Sequence, residues 1–210
     1  MTVTAKSRFV NALTFARLPL IFAWLGFAVA QELLGGFWLG VAACLAMLAS
    51  GLTDLFDGKL ARKWGVVSNL GKMADPLMDK MFYLVAFPAL VWQAGRQSGG
   101  DVHAMVLLGF TILYMMRDTW VTFMRTVGTM YGADVAAMWL GKVRTALSFP
   151  GAGWVYAYLA FHELAPESWR GAWLASCYAF EAVLVVLTLV SLVTYTAAYA
   201  PYLEKALARK

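Results

Sequence analysis

The chain has 210 residues, 61% of them hydrophobic, 15% aromatic and only 14% charged, and a soluble domain of this size cannot bury that much apolar surface. Lipid must therefore be part of its solvent. The net charge of +5 does not point to a nucleic-acid partner, because the basic residues gather at the ends of apolar segments, where an anionic membrane face would meet them.

In chain order, the N-terminal arm carries Lys6 and Arg8 ahead of an apolar run, as a signal peptide would. No convincing small-residue cleavage site follows and further spans come after, so the arm is expected to be retained. A bilayer core takes about 20 apolar residues per helix, and six segments qualify: Leu13 to Ala30, Phe37 to Leu55, Leu77 to Ala94, Ala104 to Val127, Trp139 to Leu164, and Ala172 to Ala200. Lysine and arginine concentrate in the N-terminal arm, around Lys59, Arg62, Lys63 and Lys72, between Arg125 and Arg144, and in the tail at Lys205, Arg209 and Lys210. The connections at 31–36, 96–103 and 162–170 hold few. The expectation is an all-α integral membrane protein of six transmembrane helices, multi-pass in the cytoplasmic membrane with both termini cytoplasmic. No low-complexity linker or fixed-period repeat interrupts it, so residues 1–210 are expected to form a single membrane domain. Cys44 and Cys177 stand singly in apolar stretches and read as small buried hydrophobes.

Asp54, Asp57, Asp75 and Asp79 make up four of the twelve acidic residues. Residues three and four apart share a helix face, so Asp54 and Asp57 with Ala61 line one side of the second helix, and Asp75 and Asp79 one side of the third. The intervening turn is expected to bring the two pairs together in a polar cavity at the cytoplasmic surface. Four carboxylates at low dielectric repel one another, and one or two divalent cations would hold them ionised. Oxygen-only ligation argues for Mg²⁺, Mn²⁺ or Ca²⁺ rather than zinc. Gly58 and Ala61 clear bulk from the same face, Gly71 does so one turn before Asp75, and Arg62 offers a fork for phosphate oxygens. Together these read as a nucleoside diphosphate site, although small residues also suit close helix packing.

The run Asp54-x2-Asp57-Gly58-x2-Ala61-Arg62-x8-Gly71-x3-Asp75-x3-Asp79 resembles the full signature of the CDP-alcohol phosphotransferases. The resemblance implies a six-helix fold, usually a homodimer, with Asp54, Asp57 and Asp75 on divalent metal (Mg²⁺ or Mn²⁺) beside a CDP diphosphate. It implies Asp79 as general base, with a possible second role at the metal. CDP-diacylglycerol would place its cytidine near Gly58 and Ala61 and its tails in membrane lipid.

Further on, Arg117 and Arg125 lie eight residues apart on one face of the fourth helix, and Lys142 and Arg144 open the fifth from the same side of the membrane. Cations in or beside a span are costly unless they face a cavity or a partner, so these four suggest an acceptor that itself carries phosphate. As plain anchors, Lys142 and Arg144 would follow the positive-inside pattern, and Arg117 would pair with Asp118. Met116-Arg117-Asp118-x6-Arg125, Trp139-Leu140-Gly141-Lys142-Val143-Arg144-Thr145, Asp75-Pro76-Leu77-Met78-Asp79-Lys80 and Asn11-Ala12-Leu13-Thr14-x2-Arg17 resemble the bacterial phosphatidylglycerophosphate synthases. That resemblance implies glycerol 3-phosphate as acceptor, bound by Arg117, Arg125, Lys142 and Arg144. Asp118 stands where those synthases usually carry glutamate, and Arg144 where lysine is common. CDP-type cardiolipin synthases share part of the pattern and take phosphatidylglycerol. An ion-binding transporter would spread its acidic residues near the midplane in paired halves, unlike this crowd at one membrane face.

Thr14 and Arg17 either hold nucleotide or phosphate at the cytoplasmic mouth or cap and anchor the first helix. Glu181 is expected at the membrane interface or in a dimer contact, His103 and His162 in solvated outer connections, and the nine tryptophans as interface anchors.

Overall fold

Among the described residues the apolar runs fold into six α-helices: α1 (Val3–Leu34), α2 (Phe37–Trp64), α3 (Asn69–Arg96), α4 (Asp101–Met130), α5 (Trp139–Phe161) and α6 (Glu167–Ala208). The computed structural model describes residues 2–133 and 139–208, without the side chains of Lys72 and Leu140. The tail cations Arg209 and Lys210, and the Lys72 side chain, counted above toward orientation, thus lie outside the described residues. Four helices, α1, α2, α4 and α6, are long and apolar enough to cross a membrane by length and composition. The fifth apolar segment ends sooner than expected: α5 stops at Phe161, and His162–Leu164 forms one 3-10 turn. Ala165 is extended there because the following proline disfavours a helical residue before it.

Local chemistry sets the turn that carries the acidic motif. Gly65 ends α2 at φ +63, a left-handed conformation that only glycine adopts freely. Val66 N–H then donates to the Ala61 carbonyl at 3.0 Å and closes the helix end. Ser68 starts α3 by accepting from Gly71 N–H at 2.9 Å, while its hydroxyl donates to Asn11 Oδ1 at 2.9 Å and ties that start to α1.

Consecutive helices do not all pack on one another. α1 packs along both α2 and α3, whereas the backbones of α2 and α3 stay apart and their acidic side chains meet across the gap; α4 lies against α3 and α6, and α5 against α6, α3 and α2. Fully buried alanines such as Ala43, Ala86 and Ala94 let the helices approach closely. The core between them is aromatic: Tyr83, Phe87, Phe110 and Tyr114 meet with ring centroids 4.9–5.6 Å apart.

Three expectations are corrected. His103 is not solvated: it sits in the first turn of α4, 4% exposed, with Nε2 2.8 Å from Glu181 Oε1 on α6. Glu181 is likewise buried rather than facing an interface, since each supplies the other with a partner that a dry interior would otherwise deny it. Trp24 is a core residue, packed edge-on against Tyr156 at 5.6 Å, whereas Trp38, Trp139 and Trp169 are exposed as anchors would be. His162 is half-buried, its Nδ1 3.1 Å from the Tyr158 carbonyl.

Candidate active site

The carboxylates face one another across the gap between α2 and α3, and α1 fills its floor. Oxygens of Asp54, Asp57 and Asp75 all lie within 4.8 Å of one another; Asp79 stands outside that trio. At the centre is Arg17 of α1, 3% exposed. Its Nη2 donates to Asp75 Oδ1 at 2.6 Å and to Asp57 Oδ2 at 3.1 Å and pairs with Asp54; its Nη1 donates to Asp79 Oδ1 at 3.1 Å. Thr14, one turn earlier on the same face, donates its hydroxyl to Asp57 Oδ2 at 2.7 Å. Thr14 and Arg17 thus meet the carboxylates themselves, a role that neither of the two readings open for them anticipates. The signal for Arg17 was present in the sequence, an ionisable residue inside an apolar span. What could not be read was its target, because the two acidic pairs were expected to meet directly through the α2–α3 turn.

One guanidinium against four carboxylates leaves negative charge in excess, and the remaining donors are all hard oxygens at a spacing a small ion can bridge. The residues present therefore fit a hard divalent cation.

Three cavities surround the cluster. The first, about 280 Å³, runs between α1, α2 and the start of α3 and is lined by Thr14, Asp57, Gly58, Ala61, Arg62, Gly71 and Asp75. Its small residues have different reasons. A Cβ on Gly71 would lie 3.1 Å from Ser68 Oγ and 3.3 Å from Asn11 Oδ1, the atoms of the α3 cap. A Cβ on Gly58 would meet only the Arg62 guanidinium, at 3.5 Å, so glycine there keeps the face open beneath that fork.

The second cavity, about 410 Å³, is walled by Leu48, Leu52 and Leu55 of α2, Phe82 of α3 and Phe149 of α5, and ends on Arg17, Asp54 and Asp79. It is an apolar groove with one charged end, a shape suited to a lipid tail whose head meets the carboxylates.

The third cavity, about 430 Å³, is lined by Lys80, Arg117, Arg125, Arg144, Asp79 and Asp118. Three of the four expected cations converge there, and Lys142 does not: two residues from Arg144 it points about 200° away around the helix and is exposed. Lys80, not assigned from the sequence, lines the cavity instead, with Nζ 2.8 Å from Thr122 Oγ1. Asp118 accepts from Arg117 Nη1 at 3.0 Å and pairs with Arg144, so the expected anchor pairing and the cavity lining coexist. Arg144 is 2% exposed and lies 3.9 Å over the Tyr114 ring, while its Nε and Nη1 have no hydrogen-bond partner among the described residues. Buried unsatisfied guanidinium donors are costly, and an anion with several oxygens would relieve them. Asp79 belongs to both the apolar and the basic cavity.

The family model described as CDP-alcohol phosphatidyltransferase matches residues 9–193. A cardiolipin synthase (CMP-forming) of Streptomyces coelicolor is 29% identical over 172 residues, covering 76% of this chain and 74% of the relative. A CDP-diacylglycerol–glycerol-3-phosphate 3-phosphatidyltransferase of Mycoplasma genitalium is 34% identical over 119 residues, 57% of this chain and 43% of the relative. The protein of the same description from Escherichia coli strain K12 is 29% identical over 118 residues, 56% of this chain and 62% of the relative. With these two glycerol-3-phosphate enzymes, therefore, the match spans less than two thirds of the relative's length.

Proposed function

The chain belongs to the CDP-alcohol phosphatidyltransferase family of integral membrane enzymes, and from that premise we propose that it transfers the phosphatidyl group of CDP-diacylglycerol to glycerol 3-phosphate, releasing CMP. The observation that carries this reading is the position of Asp79, where the carboxylate cluster, the apolar groove and the basic cavity meet.

In this reading residues 1–210 form one six-span membrane domain with both termini cytoplasmic, the active site opening to the cytoplasm, and two copies assembling as a homodimer. Arg62 meets the diphosphate of CDP-diacylglycerol, Gly58, Ala61, Gly71 and Thr14 leave room for and border the nucleotide, and the acyl tails enter the apolar groove. Arg117, Arg125 and Arg144 hold the acceptor phosphate, with Lys80 contributing and Lys142 acting from outside the cavity. Asp54, Asp57 and Asp75, with Asp79 at the edge of the set, would hold one or two Mg²⁺ or Mn²⁺ ions, which supply charge neutralisation for the diphosphate.

The acceptor hydroxyl then attacks the phosphatidyl phosphorus. Asp79 takes the hydroxyl proton, the new oxygen–phosphorus bond forms, and the bond to CMP breaks with its electron pair leaving on CMP. Arg17 holds Asp79 Oδ1 in place against the other three carboxylates, so the base stays directed at the junction of the two cavities.

A second reading, transfer to phosphatidylglycerol, is favoured by one observation: the cardiolipin synthase match extends over a larger share of the chain than the glycerol-3-phosphate matches do. That acceptor also presents a phosphate and a glycerol hydroxyl. Purified protein given CDP-diacylglycerol with Mg²⁺ or Mn²⁺, and offered glycerol 3-phosphate, phosphatidylglycerol, inositol phosphate or serine, separates the two by CMP release. Preference for glycerol 3-phosphate is the expected result; preference for any other acceptor overturns it while leaving the family assignment intact.

A further inference from the structure

The acceptor reading above assigns Arg117 to the basic cavity but leaves open what aims it. Arg117 is 6% exposed, and a long guanidinium side chain has several low-energy ways to lie, so its orientation must be imposed by neighbours. On its own helix it meets Asp118, through Nη1 at 3.0 Å. Its second hydrogen bond and its ring contact among the described residues come from α6. Nη2 donates to Ser191 Oγ, and the guanidinium lies 5.0 Å over the Tyr195 ring. Ser191 is 0% and Tyr195 2% exposed, and neither lines the basic cavity, so both act from behind Arg117.

Two glycines show how closely α6 is registered at this point. A Cβ on Gly141 of α5 would lie 3.1 Å from the Tyr195 hydroxyl and 3.5 Å from Arg117 Nη2, so α4, α5 and α6 meet closely at the guanidinium. A Cβ on Gly128 of α4 would lie 2.6 Å from the ring of Tyr199, which stacks on Tyr195 at 6.2 Å with planes 4° apart. Trp120 Nε1 also donates to Thr196 Oγ1 at 2.8 Å, one more fixed point between α4 and α6.

We propose that Ser191 and Tyr195 are positioning residues for the acceptor site: from α6 they hold the Arg117 guanidinium in the orientation in which it meets the acceptor phosphate, and so set acceptor affinity without touching the acceptor. Losing the Ser191 oxygen leaves Nη2 without its acceptor and free to swing toward Asp118. Losing the Tyr195 ring removes the face on which the guanidinium rests. Neither change reaches the carboxylate cluster or the nucleotide cavity, whose linings contain no α6 residue.

This inference rests on the acceptor reading, and one set of measurements tests the two separately. Full-length protein in proteoliposomes is compared as wild type, Ser191→Ala, Tyr195→Leu and Tyr195→Phe, with KM measured for glycerol 3-phosphate and for CDP-diacylglycerol alongside kcat and Tm. Ser191→Ala and Tyr195→Leu are expected to raise the KM for glycerol 3-phosphate about tenfold, the scale of one hydrogen bond to a charged group, with kcat and the CDP-diacylglycerol KM within about twofold. Tyr195→Phe keeps the ring and is expected to raise the KM for glycerol 3-phosphate less than Tyr195→Leu does. If wild type uses glycerol 3-phosphate and its KM is unmoved by Ser191→Ala and Tyr195→Leu, or both KM values rise together, the positioning role is wrong. If wild type prefers phosphatidylglycerol, the same split in that acceptor's KM decides the matter. A wild type that prefers an acceptor without phosphate overturns the acceptor reading and this inference with it.

Discussion

Arg17 Nη1 donates to Asp79 at 3.1 Å while Nη2 of the same guanidinium reaches Asp57 at 3.1 Å, so one side chain from α1 links the proposed proton acceptor to the proposed metal ligands. Replacing it with glutamine is expected to lower kcat by roughly 10²-fold, the scale of losing one preorganised charge at a reacting centre. Arg17→Lys should recover only part of the loss, because an ammonium is a point charge and cannot span both sides of the cluster. Lysine restoring full turnover would show that charge alone matters and that the fork does not.

The separation of Asp79 from the Asp54, Asp57 and Asp75 trio predicts different losses. Asp79→Asn should reduce turnover about 10³-fold, within the range of removing a general base, while Mn²⁺ affinity, measured by electron paramagnetic resonance, falls little. Asp57→Asn should weaken Mn²⁺ binding and turnover together. Equal loss of Mn²⁺ affinity in the two variants contradicts this division.

Arg144 and Lys142 are two residues apart and on different faces of α5, with only Arg144 in the basic cavity. Arg144→Ala is expected to raise the acceptor KM by at least about tenfold, since it removes a buried charged donor. Lys142→Ala should leave that KM within about twofold, as exposed charges act mainly through a screened field. Steady-state kinetics with varied acceptor distinguishes them, and a larger effect at Lys142 contradicts the assignment.

A methyl group at Gly71 would press on Ser68 Oγ and Asn11 Oδ1, which cap α3 and tie it to α1. Gly71→Ala should cost about 1 kcal/mol of stability through the disturbed cap and raise the KM for CDP-diacylglycerol. At Gly58 the added carbon meets only the tip of a flexible arginine, so Gly58→Ala should leave thermal stability close to wild type. A stability loss at Gly58 as large as that at Gly71 would refute the distinction.

The chemistry of the site was legible because it depends on local spacing. Asp54 with Asp57, and Asp75 with Asp79, share faces wherever those segments are helical, and Gly58, Ala61 and Arg62 travel with them. The failures fell on relationships between distant residues. His103 and Glu181 each looked like a surface group until packing made them partners across 78 positions. Lys142 looked equivalent to Arg144 because both are cations near a helix start, and only the packed face of α5 separates them.

From the sequence alone came the membrane setting, the six helices, the all-oxygen acidic residues at helical spacing and the cations of α4 and α5, because hydropathy, helical period and side-chain charge are properties of the chain itself. The tertiary structure decided what meets what. It laid α1 along both α2 and α3, whose backbones stay apart, and so put Arg17 among all four carboxylates; it carried Asp79 to the boundary between an apolar groove and a basic cavity; and it set α6 behind Arg117. These depend on how whole helices pack, through close contacts at residues such as Gly128, Gly141 and Ala43, and small residues in an apolar run do not name the surface they will meet.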